Sequence, residues 1–273
     1  MFDTNLRPHF IQQIHQAAQK LDIDVKWHSD QWVCELNKDG RTEYIIGYTL
    51  PLNNAASTQI ASDKTATSVM LLNKGVDVVP HALLRPPGRP ISELLTTTLE
   101  MVSLPMVLKP QMESGGIDVF RATTIEELQA ALKILSRRYR AIALSPYLQI
   151  EHEYRTIMLD GDVKLAFEKV RAAVAVPSVD RSLEWRHNLR LGAHPEILAN
   201  SNTYDLLRLQ ASKAMKALGL RFAAVDSIKT AESSVIVLEV NSAVSLERFS
   251  SHGSDCANRA SGIYMEALKK TFG

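Results

Sequence analysis

The chain has 273 residues, 45% of them apolar and 22% charged, an ordinary globular balance with length enough for one large domain or two or three packed lobes. A formal net charge of +1 argues against a dedicated nucleic-acid surface, although a local basic cleft is still allowed. Cys34 and Cys256 lie far apart, with neither CxxC nor metal-ligand spacing, and read as thiols of a reducing compartment. Met1 to Gln13 has no apolar stretch of the signal-peptide kind and no window reaches membrane-spanning length, so a soluble cytoplasmic protein is expected.

Helical spacing of Phe10, Ile11, Ile14, Ala17, Ala18 and Leu21 predicts a helix over Leu6–Leu21. Strands follow at Ile23–Trp27, Gln31–Leu36 and Thr42–Thr49, the last two joined by a turn ending at Gly40. Together they make a small α/β lobe of about sixty residues, short for independent stability, in which Trp27 and Trp32 pack. Ser62-Asp63 caps a helix to Asn73, ended by Gly75, and the three prolines of Arg85–Pro90 predict a loop before a helix from Ser92. Strand Met106–Lys109 leads through Pro110–Gly116 into strand Ile117–Phe120, and Thr124-Ile-Glu-Glu127 is a capping box for a helix to Tyr139.

Lys109 therefore ends a strand beside a loop with two adjacent glycines, Gly115 and Gly116. Such a loop can press backbone N–H groups against phosphate oxygens while the lysine adds a point charge, or it can be a plain hairpin turn. It is not a Walker A loop, because no Gly-Lys-Ser/Thr opens a helix there. Strand Ala141–Leu144 is broken by Pro146, and Arg155–Leu159 and Val163–Val170 are paired through the Asp160-Gly161 turn. Arg181–Gly192 is basic (Arg181, Arg186, Arg190) without an apolar face, either solvated surface or a clamp for phosphate or carboxylate. A helix over Tyr204–Leu218 ends at Gly219, and Gly262–Phe272 forms a closing helix.

Between those helices two β-branched runs, Phe222–Lys229 and Val235–Asn241, predict a hairpin connected through Thr230–Ser234. Alternation sends Ile236, Leu238 and Val240 into a core and places Glu239 and Asn241 on the other face. With Asp226 opposite Val237 or Glu239, three oxygen-bearing side chains meet, and carboxylates this close are costly without a cation. Oxygen ligands of this kind suit Mg²⁺ completed by substrate phosphates, whereas a hairpin with a water-facing polar side is the bland alternative. The histidines nearest this region, His152, His187 and His194, lack the spacing of a metal triad.

Taken in order, these motifs resemble those of ATP-grasp ligases over essentially the whole chain. Asp63-Lys64 with Gly75 and Pro80 resembles the opening of the first ATP-grasp subdomain, and Val107–Gly116 its nucleotide-binding strand and phosphate-covering loop. Glu153-Tyr-Arg155 is similar to the acidic-x-Arg after the adenine hinge. Arg186–Ala193 is similar to the Arg-x-Asn loop of the glutathione synthetase-like branch, and Asp226 with Glu239-Val-Asn241 to the metal set. The N-terminal lobe, through Trp32–Leu36 and Glu43-Tyr44, looks most like the ATP-grasp part of bifunctional glutamate-cysteine ligase/glutathione synthetases and cyanophycin synthetases.

The resemblance implies a mixed α/β (α+β) ATP-grasp fold, with a small N-terminal lobe at 1–60 and ATP-grasp subdomains at 61–145 and 146–273 clasping the nucleotide between antiparallel sheets. It implies ATP phosphates held by Lys64, Lys109 and the backbone of Ser114, Gly115 and Gly116. The adenine hinge would be Ser145, Pro146, Tyr147 and Leu148, with Glu153 on the ribose. Asp226, Glu239 and Asn241 would carry two Mg²⁺ ions, Arg155 would face the carboxylate substrate, and Arg186 with Asn188 would steady the transferring phosphoryl group. The implied reaction is ADP-forming ligation of a carboxylate to an amine through an acyl phosphate, with an amino acid or short peptide as substrate. Neither nucleic acid nor membrane is an expected partner, and the resemblance allows a homodimer. The alternative is an ATP-binding module that is non-catalytic or needs a partner, favoured by two departures from the pattern. Ser242–Leu246 replaces the usual Ser-Pro-Gly type turn, and the first lobe is shorter than in stand-alone glutathione synthetases.

Overall fold

Helix α1 (Pro8–Lys20) turns its apolar stripe, Phe10, Ile14, Ala17 and Ala18, onto strands β1 (Asp24–His28), β2 (Val33–Lys38) and β3 (Arg41–Ile46), which pair antiparallel in that order. The computed structural model describes residues 7–113, 115–171, 187, 189–231 and 235–273. The third strand ends at Ile46 because Gly47 takes φ +59 with Trp32 packed over it. A Cβ at Gly47 would lie 2.7 Å from the indole, so only glycine fits.

Helices α2 (Ala55–Ser62) and α3 (Lys64–Asn73) follow. Asn54 caps the first, and the Asp63 carboxylate accepts from Thr65 and Ala66 N–H to start the second. Next come β4 (Ala82–Leu84), α4 (Ile91–Met101), β5 (Met106–Pro110), β6 (Phe120–Ala122), α5 (Ile125–Arg138) and β7 (Ile142–Pro146). Their strands form an antiparallel sheet in the order β4-β7-β5-β6, and Leu94, Leu128, Leu132 and Leu135 of the two helices seal one of its faces. The capping box is present in altered form. Thr124 Oγ1 accepts from Glu127 N–H, but the Glu127 carboxylate reaches one residue further back, to Thr123. The strand expected at Ile117–Phe120 begins only at Phe120, because Gly115, Gly116 and Asp118 all hold positive φ and keep that stretch in turns.

The remainder is β8 (His152–Leu159), β9 (Asp162–Val170), β10 (His194–Ile197), α6 (Asn202–Leu218), β11 (Phe222–Lys229), β12 (Ile236–Asn241), α7 (Glu247–Ser250) and α8 (Ser254–Phe272). Five strands pair antiparallel in the order β10-β9-β8-β11-β12, and Asp77–Val79 adds backbone bonds at the β12 edge. One face of this sheet packs on α3 and α6 through Met158, Val225, Val237 and Val240. The opposite face is divided. Ile157, Leu159, Phe222 and Ala224 lie under α1, the small sheet and α8 in one continuous core, while Glu153, Arg155 and Asp226 line a cleft at the other end. Because that core is shared with α8, the N-terminal lobe draws its stability from the C-terminal part of the chain.

One detail of the hairpin needs correction. Asp226 lies opposite Glu239, but Ser227 lies opposite Val237, so Leu238 is an extra residue at a bulge. Strict alternation fails there. Val237 and Val240 are the buried pair, and Leu238 lines the cleft instead of entering the core. Among the described residues no helix is long and apolar enough to cross a membrane.

Candidate active site

The four-stranded and five-stranded sheets face each other across a cleft of about 480 Å³. Lys109, Ser145 and Pro146 line it from the first sheet, and Glu153, Arg155, Lys169, Asp226, Glu239 and Asn241 from the second. Lys64, Gly115, Gly116, Tyr147 and Leu148 close its sides, so every expected site residue with a described position reaches one cavity. Ser114, Arg186 and Asn188, expected at the phosphates, lie outside the described residues.

Lys109 is almost fully enclosed at the end of β5. Burial pushes its ammonium down to about 8 against the pull of Glu239, and the positive charge of Lys64 adds to the push. Lys64, the first residue of α3, donates to the carbonyls of Gln111 (3.3 Å) and Glu113, while the Gln111 amide donates to the Asp63 carboxylate. The cap that starts α3 therefore also fixes the loop after β5. Burial pushes the Lys64 ammonium down as well. Gly115 and Gly116 take φ +74 and +75, and a Cβ at Gly115 would sit 3.7 Å from an Arg190 guanidinium nitrogen. The glycine turn and Arg190 thus approach each other at the cleft.

The hinge after β7 is partly committed, since Tyr147 N–H donates to the Pro105 carbonyl at 3.0 Å. Tyr147 also carries Arg121 over its ring, 5.2 Å from the centroid.

On the opposite wall, β8 and β11 put Arg155 directly across from Asp226, and β12 puts Glu239 on Asp226's other side. Arg155 grips Asp226 in bidentate fashion, Nε to Oδ1 at 2.7 Å and Nη2 to Oδ2 at 2.6 Å. Lys169 joins Asp226 at 3.1 Å and Glu153 at 2.6 Å. Burial alone would raise the Asp226 carboxyl, but the two cations outweigh it and hold it well below the usual carboxylate range. Glu153 goes the other way, raised by burial despite Lys169. Two carboxylates and two cations thus balance inside a protein wall, an arrangement dependent on all four members.

In the unliganded chain the Arg155 guanidinium is spent on Asp226, and Asp226 already has two cations around it. Lys169 was not singled out in the sequence. Its signal would have been an unpaired lysine at the end of the strand facing Glu153-Tyr-Arg155, visible only once the pairing of β8 with β9 is known. Asn241 donates to Glu239 Oε1 at 3.1 Å. Among the described residues no three His, Cys, Asp or Glu side chains cluster as a self-sufficient metal cage. The oxygen chemistry of Glu239, Asn241 and Asp226 suits a hard cation completed by phosphate oxygens, with Glu239 and Asn241 the less encumbered donors.

His187 is buried in the cleft wall. Its Nδ1 faces the Lys169 carbonyl at 3.1 Å, Nε2 has no partner among the described residues, and burial lowers its basicity. His152 pairs with Glu168, and His194 is exposed on β10.

Comparison with known proteins follows the same outline. A family model described as a RimK-like ATP-grasp domain matches residues 61–261. A curated relative, a probable alpha-L-glutamate ligase from Pasteurella multocida, is 30% identical over 196 residues, or 72% of this chain and 58% of the relative. The chain thus spans a little over half of that relative's length. Among solved structures, D-alanine--D-alanine ligase from Bacillus anthracis superposes with TM-score 0.60 at 18% identity, covering 80% of this chain and 68% of that one. The same enzyme complexed with ATP gives 0.59. A D-cycloserine synthetase gives 0.55 at 22% identity, covering 77% and 71% of the two chains. At these identities the structural likenesses establish the ATP-grasp fold.

Proposed function

This chain belongs to the RimK-like ATP-grasp family, and from that premise we propose that it is an ATP-dependent, ADP-forming carboxylate-amine ligase acting on an amino acid or short peptide. The observation that carries the reading is the meeting of Lys64 and Lys109 with Glu239, Asn241 and Asp226 in one cleft. Cations on one wall and oxygen donors on the other fit a triphosphate lying between them.

In the first step a substrate carboxylate oxygen bonds to the γ-phosphorus, the bond to the β-phosphate oxygen breaks, and ADP leaves. An amine then bonds to the acyl carbon, phosphate departs with the bonding pair, and the nitrogen loses a proton to leave an amide. Phosphoryl transfer needs positioning and charge neutralisation more than a protein nucleophile, which accounts for a cleft rich in lysine and arginine. Lys64 and Lys109 hold the phosphates, Gly115 and Gly116 cover them and exclude water from the acyl phosphate, and Glu153 orients the ribose. Glu239, Asn241 and Asp226 would hold magnesium, two ions in this proposal, whose charge would neutralise the phosphates. Arg186 and Asn188, with the glutathione synthetase-like kinship drawn from them, complete the proposal.

The assay is ADP release from ATP and magnesium against a panel of amino acids and dipeptides, with mass measurement of the product. Release dependent on an acid and an amine together, with an amide product, is expected; none across the panel would overturn the ligase. A second reading, nucleotide binding without ligation, draws on the double ion pairing of Asp226. It expects Mg-ATP to raise the melting temperature with no ADP formed.

Lys109 gives this reading a pH signature. Its ammonium loses its proton near pH 8 in the free chain, and a bound triphosphate restores it. Affinity for a non-hydrolysable ATP analogue is therefore full below pH 8 and falls as pH rises through 8, by up to about tenfold per unit. Arginine stays charged throughout, so in Lys109→Arg the dependence flattens. Calorimetric titration between pH 7 and 9.5 checks this, and equal slopes in both proteins would refute the role given to Lys109.

A further inference from the structure

We propose that Arg248 anchors a second, non-reacting carboxylate of a substrate, a subsite that deepens the ligase reading and rests on it. In the proposed reaction the acid that is activated presents one carboxylate to the phosphates. The arginine expected to grip a substrate carboxylate, Arg155, is held by both of its hydrogen bonds to Asp226. Arg248 lines the same cleft, is exposed to it, and no hydrogen bond or ion pair holds its guanidinium among the described residues.

Its position is fixed by the elements behind it. The Tyr264 hydroxyl accepts from Leu246 N–H at 2.9 Å and donates to the Val244 carbonyl at 3.0 Å, pinning the 242–246 turn from both sides. Glu247 cannot neutralise its neighbour, because its carboxylate is engaged by the His9 and Phe10 N–H groups at the start of α1, at 3.1 and 2.9 Å. Gln13 binds the Ser250 hydroxyl at 3.0 Å. Arg248 therefore projects from a backbone that Glu247 and Ser250 tie to α1 and that Tyr264 ties to α8.

Beneath it the cleft floor is apolar. Phe167 and Phe249 stack with centroids 5.0 Å apart, and Leu189 lies alongside. Tyr48, hydrogen-bonded to Ser245, stands at the same end and feels the positive charge of Arg248. Phe167 lies across from Arg155 on the neighbouring strand and stacks on Phe249, the residue after Arg248, so the order from the charged wall to the Arg248 guanidinium runs through this buried ring pair. That order fits a reacting carboxyl at one end, a short aliphatic stem over the rings, and a carboxylate at the far end. The carboxylate belongs either to the acid that is activated or to the amine that attacks it.

The probes are L-glutamate, its two monoamides L-glutamine and L-isoglutamine, and a panel of α-amino acids offered as free acids or as C-terminal amides. Each is titrated into the full chain with magnesium and a non-hydrolysable ATP analogue, reading the melting temperature, and into turnover assays reading KM and kcat separately. In the wild type, amidation of the anchored carboxylate weakens binding by on the order of tenfold to a hundredfold. Arg248→Met binds acid and amide alike, at the affinity of the wild type for the amide. Arg248→Lys falls between, and affinity for the nucleotide is unchanged in both variants. Loss confined to the glutamate series assigns the carboxylate to the activated acid, and loss confined to the amino acid panel assigns it to the amine. Equal discrimination in wild type and Arg248→Met, or no binding that depends on Arg248, overturns the subsite. Arg248-dependent binding without ADP release would keep the subsite and sink the ligase, whereas ADP release indifferent to Arg248 would do the reverse.

Discussion

Asp226→Asn lowers the unfolding free energy of the unliganded chain by about 3–5 kcal/mol, the usual consequence of removing one partner from a buried ion pair. The cause is the pair of cations left behind. Arg155 and Lys169 are drawn into the wall by this carboxylate, and an amide cannot neutralise either of them. Glu153 would be left to serve Lys169 alone. The pH dependence has a definite sign. The Asp226 carboxyl is depressed in the folded chain, so its contribution is present above the ordinary carboxylate pKa of about 4 and is lost only as pH falls further, through the lower folded value. Urea titrations at pH 7 and in the acid range would measure both effects. A variant as stable as the wild type at pH 7 would show that the four-charge group contributes nothing to the fold.

Glu239→Gln has the opposite profile, an intact fold with activity reduced at least about a hundredfold, or about 2.7 kcal/mol in the transition state. Glu239 is only partly buried and accepts a hydrogen bond from the Asn241 amide, which a glutamine oxygen can accept equally well. Folding therefore loses little. A neutral amide is a poor ligand for a hard divalent cation and removes the negative charge nearest Lys109, so the loss falls on phosphoryl transfer. The comparison is informative because Asp226 and Glu239 are cross-strand neighbours. On the proposal Asp226 serves both the wall and the metal set whereas Glu239 serves the metal set with little cost to the fold, and ADP release by Glu239→Gln at the wild-type rate would remove Glu239 from the metal set.

The α/β order of elements, the strand ending in Lys109 and the hairpin with Asp226, Glu239 and Asn241 were all legible in the sequence. Each depends on local signals, such as the Asp63 cap, the glycine pair at 115–116 and the β-branched runs, which act within a few residues of chain. The bulge at Leu238 was not legible. Nothing in Val-Ile-Val-Leu-Glu-Val announces where a partner strand will skip a residue, and that skip decided that Leu238 faces the cleft and Val237 the core.

The same division holds for the charges. Residue type alone showed that this chain carries, in a recognisable order, lysines of a kind that suits phosphate and oxygen donors of a kind that suits hard cations, because those affinities are properties of the side chains. Which charge meets which was decided by strand pairing. Only the alignment of β8 with β9 and β11 spends Arg155 on Asp226 and recruits Lys169 from a strand with no motif. Ionic contacts act over a few ångströms and across tens of residues of chain, so their partners exist only in three dimensions.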